Sequence, residues 1–295
     1  MNSRYMQWKQ WSHSHLDVCV DLVRIYLGLG LMMKGYLFLE QKPMLMYMLS
    51  QNTEWNIPPS LVHLVPPVHL IGGAMLAMGL FTRLAAIVQL PILIGAVFFI
   101  YFPMLITVEG RQNFEFTALV LYLTLLFAIF GSGRLSLDHR LKTVPPHVDL
   151  CADMMRIYLG FGLFMKGAFF IEEREHLMQL IDSAGSMSLV PAAMAHYIIP
   201  VHIMGGILIM LGLLTRVAAL ANLPILIGAT FFVFMPSYLM IENRRDKQDF
   251  EFTALVLFMT VMFTAFGAGR VSLDHMIEKD KEKERAAHGP APAHA

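Results

Sequence analysis

Ionisable side chains sit inside otherwise apolar stretches of this chain, and they do so twice. Asp17, Asp21 and Arg24 are spaced i, i+4 and i+7, and Lys34 follows almost three turns later; Asp149, Asp153, Arg156 and Lys166 repeat the set. A helix would put the first three of each set on one face. His63 and His69 are matched by His196 and His202, and Glu115 is matched by Glu251. Ionised groups at membrane depth cost about 2.5 kcal/mol or more each on insertion scales, so they face a partner or a cavity.

Each set allows a structural and a chemical reading. The Asp–Arg face suits an intrahelical ion pair near one end of the helix. Lys34 and Lys166 can snorkel to headgroups or meet Glu115 and Glu251, which open the helices starting at the same side. A Lys–Glu pair in each half would also floor a ligand cavity, with Lys34, Glu115 and His69 lining one site and Lys166, Glu251 and His202 the other. His69 and His202 each follow Pro-Val and precede Gly-Gly, a pair that lets another helix or a flat ligand come close. Their imidazoles could bond a quinone carbonyl or relay a proton, or ligate one haem b iron as a bis-histidine pair. They could equally stay neutral and donate to a carbonyl freed by the neighbouring proline. No HExxH or CxxCH is present, and Cys19 and Cys151 lack metal-site spacing, so no metal ligand set is expected.

The elements that must position these groups follow from an internal duplication. HLDVCVDLVRIYLGLGLMMKG at His15 returns as HVDLCADMMRIYLGFGLFMKG at His147, PVHLIGG at Pro67 as PVHIMGG at Pro200, and FEFTALVL at Phe114 again at Phe250. The offset grows from 132 to 133 to 136 residues along these three segments, so the changes in register fall in loops. Apolar runs at 16–39, 62–81, 84–105 and 114–130 each approach the roughly 20 residues needed to cross the hydrocarbon core. The second half repeats them at 148–171, 195–214, 217–241 and 250–266. The expected fold is all-α and polytopic, with eight transmembrane helices as two parallel four-helix repeats, since an even number of crossings returns the chain to its starting side. The units are an N-terminal cytoplasmic segment 1–15, repeats 16–140 and 141–276, and a tail 277–295 read as a fraying helix end that becomes disordered. Residues 40–61 suit an interfacial helix or a cap over the bundle.

Composition agrees. Hydrophobic residues make up 56% and charged residues 15%, against about 25% charged in soluble domains. Most of the surface must therefore face lipid. Lys+Arg and Asp+Glu balance at 22 each, which leaves no electrostatic footprint for nucleic acid. No cleavable leader is read at the start, and Trp8 and Trp11 suit a headgroup anchor. Twelve basic residues fall on the side of both termini and six on the other, which predicts a multi-pass protein of the cell (inner) membrane with both termini cytoplasmic.

The ordered motifs resemble the DoxX/DoxD-like membrane family. They are Arg24, Gly28, Lys34 and Gly35 in the first helix, then Gly72, Gly73, Gly79, Thr82 and Arg83 around the second. Glu115 opens the fourth, and a Gly-x-Gly-Arg-x-Ser-Leu-Asp ending occupies 131–138. All recur in the second half, with Arg156, Lys166, Thr215, Arg216, Glu251 and the ending at 267–274. The resemblance covers about 260 residues. It implies a small membrane bundle associated with redox work, similar to the membrane subunit of a thiosulfate:quinone oxidoreductase, with quinone as cofactor and a redox partner protein. Two departures are the fusion of two units and the histidines at 69 and 202, where relatives more often carry an acidic residue. No soluble catalytic domain is recognised, so thiosulfate chemistry would not be complete in this chain.

Three functions from different classes compete. A redox-associated subunit would use His69, His202, Lys34, Lys166, Glu115, Glu251, Arg24 and Arg156 to hold its cofactor. A transporter of ions or small solutes would use the same buried charges as a path. A membrane anchor or assembly factor for a partner enzyme would need none of them.

Overall fold

The computed structural model describes residues 7, 11, 15–50, 60–105, 107–141, 148–183, 191–236 and 245–288. Among these the chain is almost entirely helical. The first half comprises α1 (Leu16–Glu40), α2 (Lys42–Ser50), α3 (Leu61–Met78), α4 (Thr82–Gly95), α5 (Val108–Phe130) and the short α6 (Leu137–Arg140). The second comprises α7 (Val148–Glu172), α8 (Arg174–Ser183), α9 (Pro191–Leu211), α10 (Thr215–Gly228), α11 (Arg245–Phe266) and α12 (Leu273–His288). Six stretches are long and apolar enough to cross a bilayer: Thr82–Met104, Gly110–Phe130, Asp149–Glu172, Met194–Leu211, Thr215–Phe234 and Gln248–Phe266. The chain is an all-α polytopic membrane protein. The expected eight crossings are not all reached on that measure: Val62–Met78 in α3 is a shorter apolar helix, and α1 is not among the six.

Small residues set the packing inside each half. Gly28 of α1 and Gly73 of α3 lie so close that a Cβ on either would run into the other helix's backbone; Gly160 and Gly206 repeat this between α7 and α9. Helices without side chains at the crossing gain dispersion contact over their whole backbones, which is what drives association in lipid. α4 then packs on α5, and α10 on α11.

The two halves share one core. Leu16, Cys19, Val20, Val23 and Leu27 of α1 are buried together with Cys151, Met155 and Leu159 of α7 and Leu255, Met259 and Phe263 of α11. α1, α5, α7 and α11 form a central bundle, with α3–α4 and α9–α10 outside it. Each first helix packs more closely on the fourth helix of the opposite half than on its own.

Three local features add detail to the sequence reading. α4 and α10 continue as π-helical turns, Ala96–Tyr101 and Ala229–Phe234; each begins five residues after a helix-interior proline, Pro91 or Pro224. The 40–61 stretch and its counterpart both hold a short helix, α2 and α8, and α8 buries Leu177 and Ile181 against Phe169 and Phe170. The tail, read as a helix end fraying into disorder over 277–295, is helical in α12 as far as His288, because its alternating Glu and Lys are good helix formers. Residues 289–295 and most of segment 1–15 lie outside the described residues; of that segment Trp11 stacks on His15 at 4.6 Å between ring centroids.

Candidate functional site

The polar residues separate into two layers about 15 Å apart along the first helices, ten residues at 1.5 Å each. In the layer near the start of α1 and α7, Arg24 and Asp21 are fully buried and pair at 3.0 Å. Arg24 Nη1 donates to the carbonyls of Leu76 at 2.5 Å and Ala77 at 2.8 Å in the last turn of α3, where Leu76 also accepts from the Gly79 amide. Asp21 accepts from the backbone amides of Gly133 at 2.9 Å and Leu135 at 2.7 Å, which fixes the Gly-x-Gly-Arg loop. Arg134 of that loop reaches back to Asp17 at 2.6 Å. Asp138 then accepts from the amides of Phe81 at 2.7 Å and Thr82 at 2.8 Å. This holds Phe81 in a left-handed conformation, φ +46°, in the turn between α3 and α4.

The second half repeats the clasp residue for residue. Arg156 pairs with Asp153 at 3.1 Å and donates to Ile209 at 2.5 Å and Met210 at 2.7 Å. Arg270 reaches Asp149 at 2.7 Å, and Asp274 caps the amides of Leu214 and Thr215. The intrahelical ion pair is therefore present in both copies. Arg24 and Arg156, expected as cofactor ligands, are committed to backbone carbonyls and carboxylates. They act in the joints between helices.

The other layer holds the lysines and glutamates, and here the expected pairing within each half is corrected. Lys34 Nζ lies 3.4 Å from Glu251 Oε2, and Lys166 Nζ 3.5 Å from Glu115 Oε2. Both pairs cross between halves. The reason is the central bundle: the fourth helix that faces each first helix most closely comes from the opposite repeat. Aromatic rings complete the setting, with Lys166 Nζ 5.1 Å from the centre of the Phe169 ring and 5.6 Å from that of Phe170. Arg111 stacks over Phe169 at 4.7 Å and pairs with Glu172 at 3.7 Å.

Around the Lys166–Glu115 pair lies a cavity of about 1190 Å³. It is lined by α5, α7, α8, α9, the end of α10 and α11. Its polar lining includes Glu115, Tyr158, Lys166 and His202, and most of the rest is apolar. Of the eight expected site residues, Glu115, Lys166 and His202 line this cavity; Lys34, Glu251, His69, Arg24 and Arg156 do not. The expected trio of Lys166, Glu251 and His202 thus becomes Lys166, Glu115 and His202.

His69 and His202 are both buried, at 4% and 3% exposure, but their surroundings differ. His69 Nδ1–H donates to Gln89 Oε1 at 2.5 Å. His202 Nδ1 has no hydrogen-bond partner. A haem clamped by both imidazoles needs one gap shared by the two, and only His202 faces the cavity, so these residues do not fit that group. Among the described residues no cluster of three or more His, Cys, Asp or Glu could hold a metal ion. His63 and His196 are exposed. In the cap helix α8, burial and the Lys166 charge hold the His176 imidazole below its ordinary range, against a smaller opposing effect of Glu173.

Sequence reasoning missed Gln89, Asn222, Asp138, Tyr158 and Arg111. For Asn222 a signal exists: QLPILIGA and NLPILIGA differ at that one position.

The DoxX family model matches residues 19–102 and again 152–235, together more than half of the chain and once in each half. The chain belongs to the DoxX family. The two matches cover most of the first three large helices of each repeat, so they include Asp21, Arg24, Asp153 and Arg156 of the clasp, Lys34, Lys166 and both buried histidines of this DoxX protein, but not the Gly-x-Gly-Arg loops. It is also similar to a protein of Bacillus subtilis (strain 168) named "Putative oxidoreductase CatD", 26% identical over 129 residues. That match covers 44% of this chain and 88% of the relative, as expected where one repeat aligns with a whole single unit. No solved structure gives a significant match.

Proposed function

We propose that this DoxX protein is an integral membrane subunit of a redox system and that it binds quinone in the cavity of the second half. One observation carries this reading: a buried imidazole, His202, lines a large apolar cavity and has an unpartnered ring nitrogen, with a lysine on the same lining. A quinone head needs donors at its two carbonyls, and its prenyl tail needs an apolar channel. His202 and Lys166 are donors, and the Phe, Leu and Ile lining is the channel. The volume is somewhat above that of ordinary ligand pockets, roughly 300–1,000 Å³, which suits a head with a long tail. A bound quinone supplies a two-electron, two-proton carrier that exchanges with the lipid pool.

The chain's own residues bind, orient and move protons. Lys166, neutralised by Glu115, can donate one hydrogen bond without bringing a net charge into lipid. Tyr158 stacks on Tyr122 at 4.4 Å, which fixes its ring on the cavity wall. A bond to the cavity ligand would remove the desolvation cost that the His202 nitrogen carries. The similarity to a relative named an oxidoreductase points the same way. In this reading a partner protein delivers the electrons, the chain sits in the cell membrane, and its termini are cytoplasmic.

The test is extraction of quinone from detergent-purified protein. The expected result is bound quinone in the wild type and at least about a tenfold weaker affinity in His202→Leu and Lys166→Met, as loss of one donor worth roughly 1.4 kcal/mol would give. A wild-type sample with no extractable quinone, and no affinity for added decyl-ubiquinone, overturns the proposal.

A further inference from the structure

We infer that the duplicated chain holds one ligand site, not two, and that the residue at positions 89 and 222 decides which half holds it. The inference rests on the quinone reading above and sharpens it. In both halves the side-chain amide on the third large helix docks at the same place. Gln89 Nε2 donates to the Val68 carbonyl at 3.3 Å, and Asn222 Nδ2 to the Val201 carbonyl at 3.4 Å. Each of these carbonyls belongs to the residue just before the histidine. From that common anchor the two side chains differ by one methylene. Gln89 is long enough to place its oxygen on His69 Nδ1 at 2.5 Å. Asn222 turns back to the Ala218 carbonyl on its own helix at 2.9 Å, and its oxygen reaches nothing. His202 Nδ1 and Asn222 Oδ1 are consequently both buried without partners.

Two buried polar atoms left without partners are unfavourable unless something else bonds them. In the first half the glutamine does so internally, and the histidine nitrogen is spent. In the second half no side chain takes up the nitrogen, and His202 is among the residues that line the cavity. Neighbouring positions diverge in the same direction. Tyr26 stacks on Phe258 at 4.9 Å, whereas its counterpart Tyr158 stacks on another tyrosine, Tyr122. Position 44 is Met and its counterpart is His176; position 97 is Val and its counterpart is Thr230, whose buried hydroxyl also lacks a partner. Tyr122, His176 and Thr230 thus carry polar groups in the second half where the first half has Phe258, Met44 and Val97. The ligand class is a flat, largely apolar molecule with a hydrogen-bonding carbonyl or hydroxyl, as in quinones.

The experiment titrates decyl-ubiquinone into the detergent-purified full chain and into Asn222→Gln, with melting followed in parallel. The expected wild-type stoichiometry is one per chain. Asn222→Gln is expected to bind at least about tenfold more weakly while melting at a higher temperature, because the glutamine now satisfies His202. Gln89→Asn tests the converse and is expected to melt lower. Two equivalent sites per chain, or wild-type affinity in an Asn222→Gln protein that elutes and melts as a folded one, overturns the inference and leaves the quinone reading standing. Absence of any binding in the wild type overturns both.

Discussion

At the end of the bundle that holds Arg24 and Arg156 the two halves are near copies; at the end that holds Lys34 and Lys166 they have drifted apart. The arginine end repeats its bonds with matching lengths: Arg24 to Leu76 and Arg156 to Ile209 both at 2.5 Å, and Asp17 to Arg134 and Asp149 to Arg270 at 2.6 and 2.7 Å. Away from the clasp the halves differ at Gln89 and Asn222, and at Met44 and His176. The difference lies in what the bonds join. At the arginine end, side chains complete backbone groups that the helix ends and loops leave open, so one changed residue strips several partners at once. At the lysine end, side chains meet other side chains around a cavity, and each can change alone.

The largest effect that would break this comparison is expected at the clasp. Arg24→Ala or Arg156→Ala leaves a buried carboxylate without its counter-charge and takes a donor from two helix-end carbonyls, a loss of about 3–5 kcal/mol. Neither variant should give a monodisperse species in detergent, and Arg24→Lys should rescue little, because an ammonium cannot fork between Asp21 and two carbonyls. Size-exclusion chromatography reads the outcome; a folded, stable Arg24→Ala protein would mean the clasp is dispensable.

Next in size is the crossed ion pair, about a quarter exposed at 28% and 26% and worth about 1 kcal/mol. Lys34→Glu should lower the melting temperature, and adding Glu251→Lys should restore it. Combining Lys34→Glu with Glu115→Lys should not. Recovery with Glu115 in place of Glu251 would return the pairing to a single half.

The smallest expected difference lies within the clasp itself. Asp138 caps its turn at 2.7 and 2.8 Å, and Asp274 at 3.0 and 3.3 Å. Capping carboxylates contribute about 1 kcal/mol. Asp138→Ala should therefore destabilise by about that much and Asp274→Ala by less, as read from thermal melts of the two variants.

Much of this architecture is legible in the residues. The duplication and apolar runs place the large helices, and the i, i+3 spacing of Asp21 and Arg24 predicts their pairing. The crossed pairs were not legible, for a physical reason: two copies supply the same residue types, and spacing cannot tell Glu115 from Glu251 as the partner of Lys34. Only the packing of α1 against α11 decides. The cavity was hidden similarly, since its walls come from six elements of two repeats. Asn222 was visible as a difference between copies, but its meaning depends on where its amide docks.

The crossed lysine–glutamate pairs carry a consequence for how such a protein comes into being. A solitary four-helix unit with this packing would have no glutamate for its own lysine and would need a twin beside it, at whatever concentration the membrane provided. Joining the twins end to end makes their meeting intramolecular and independent of abundance. It also ends their obligation to be identical. Once each copy is encoded separately, one can specialise for a guest while its sibling serves as the wall against which that guest is held.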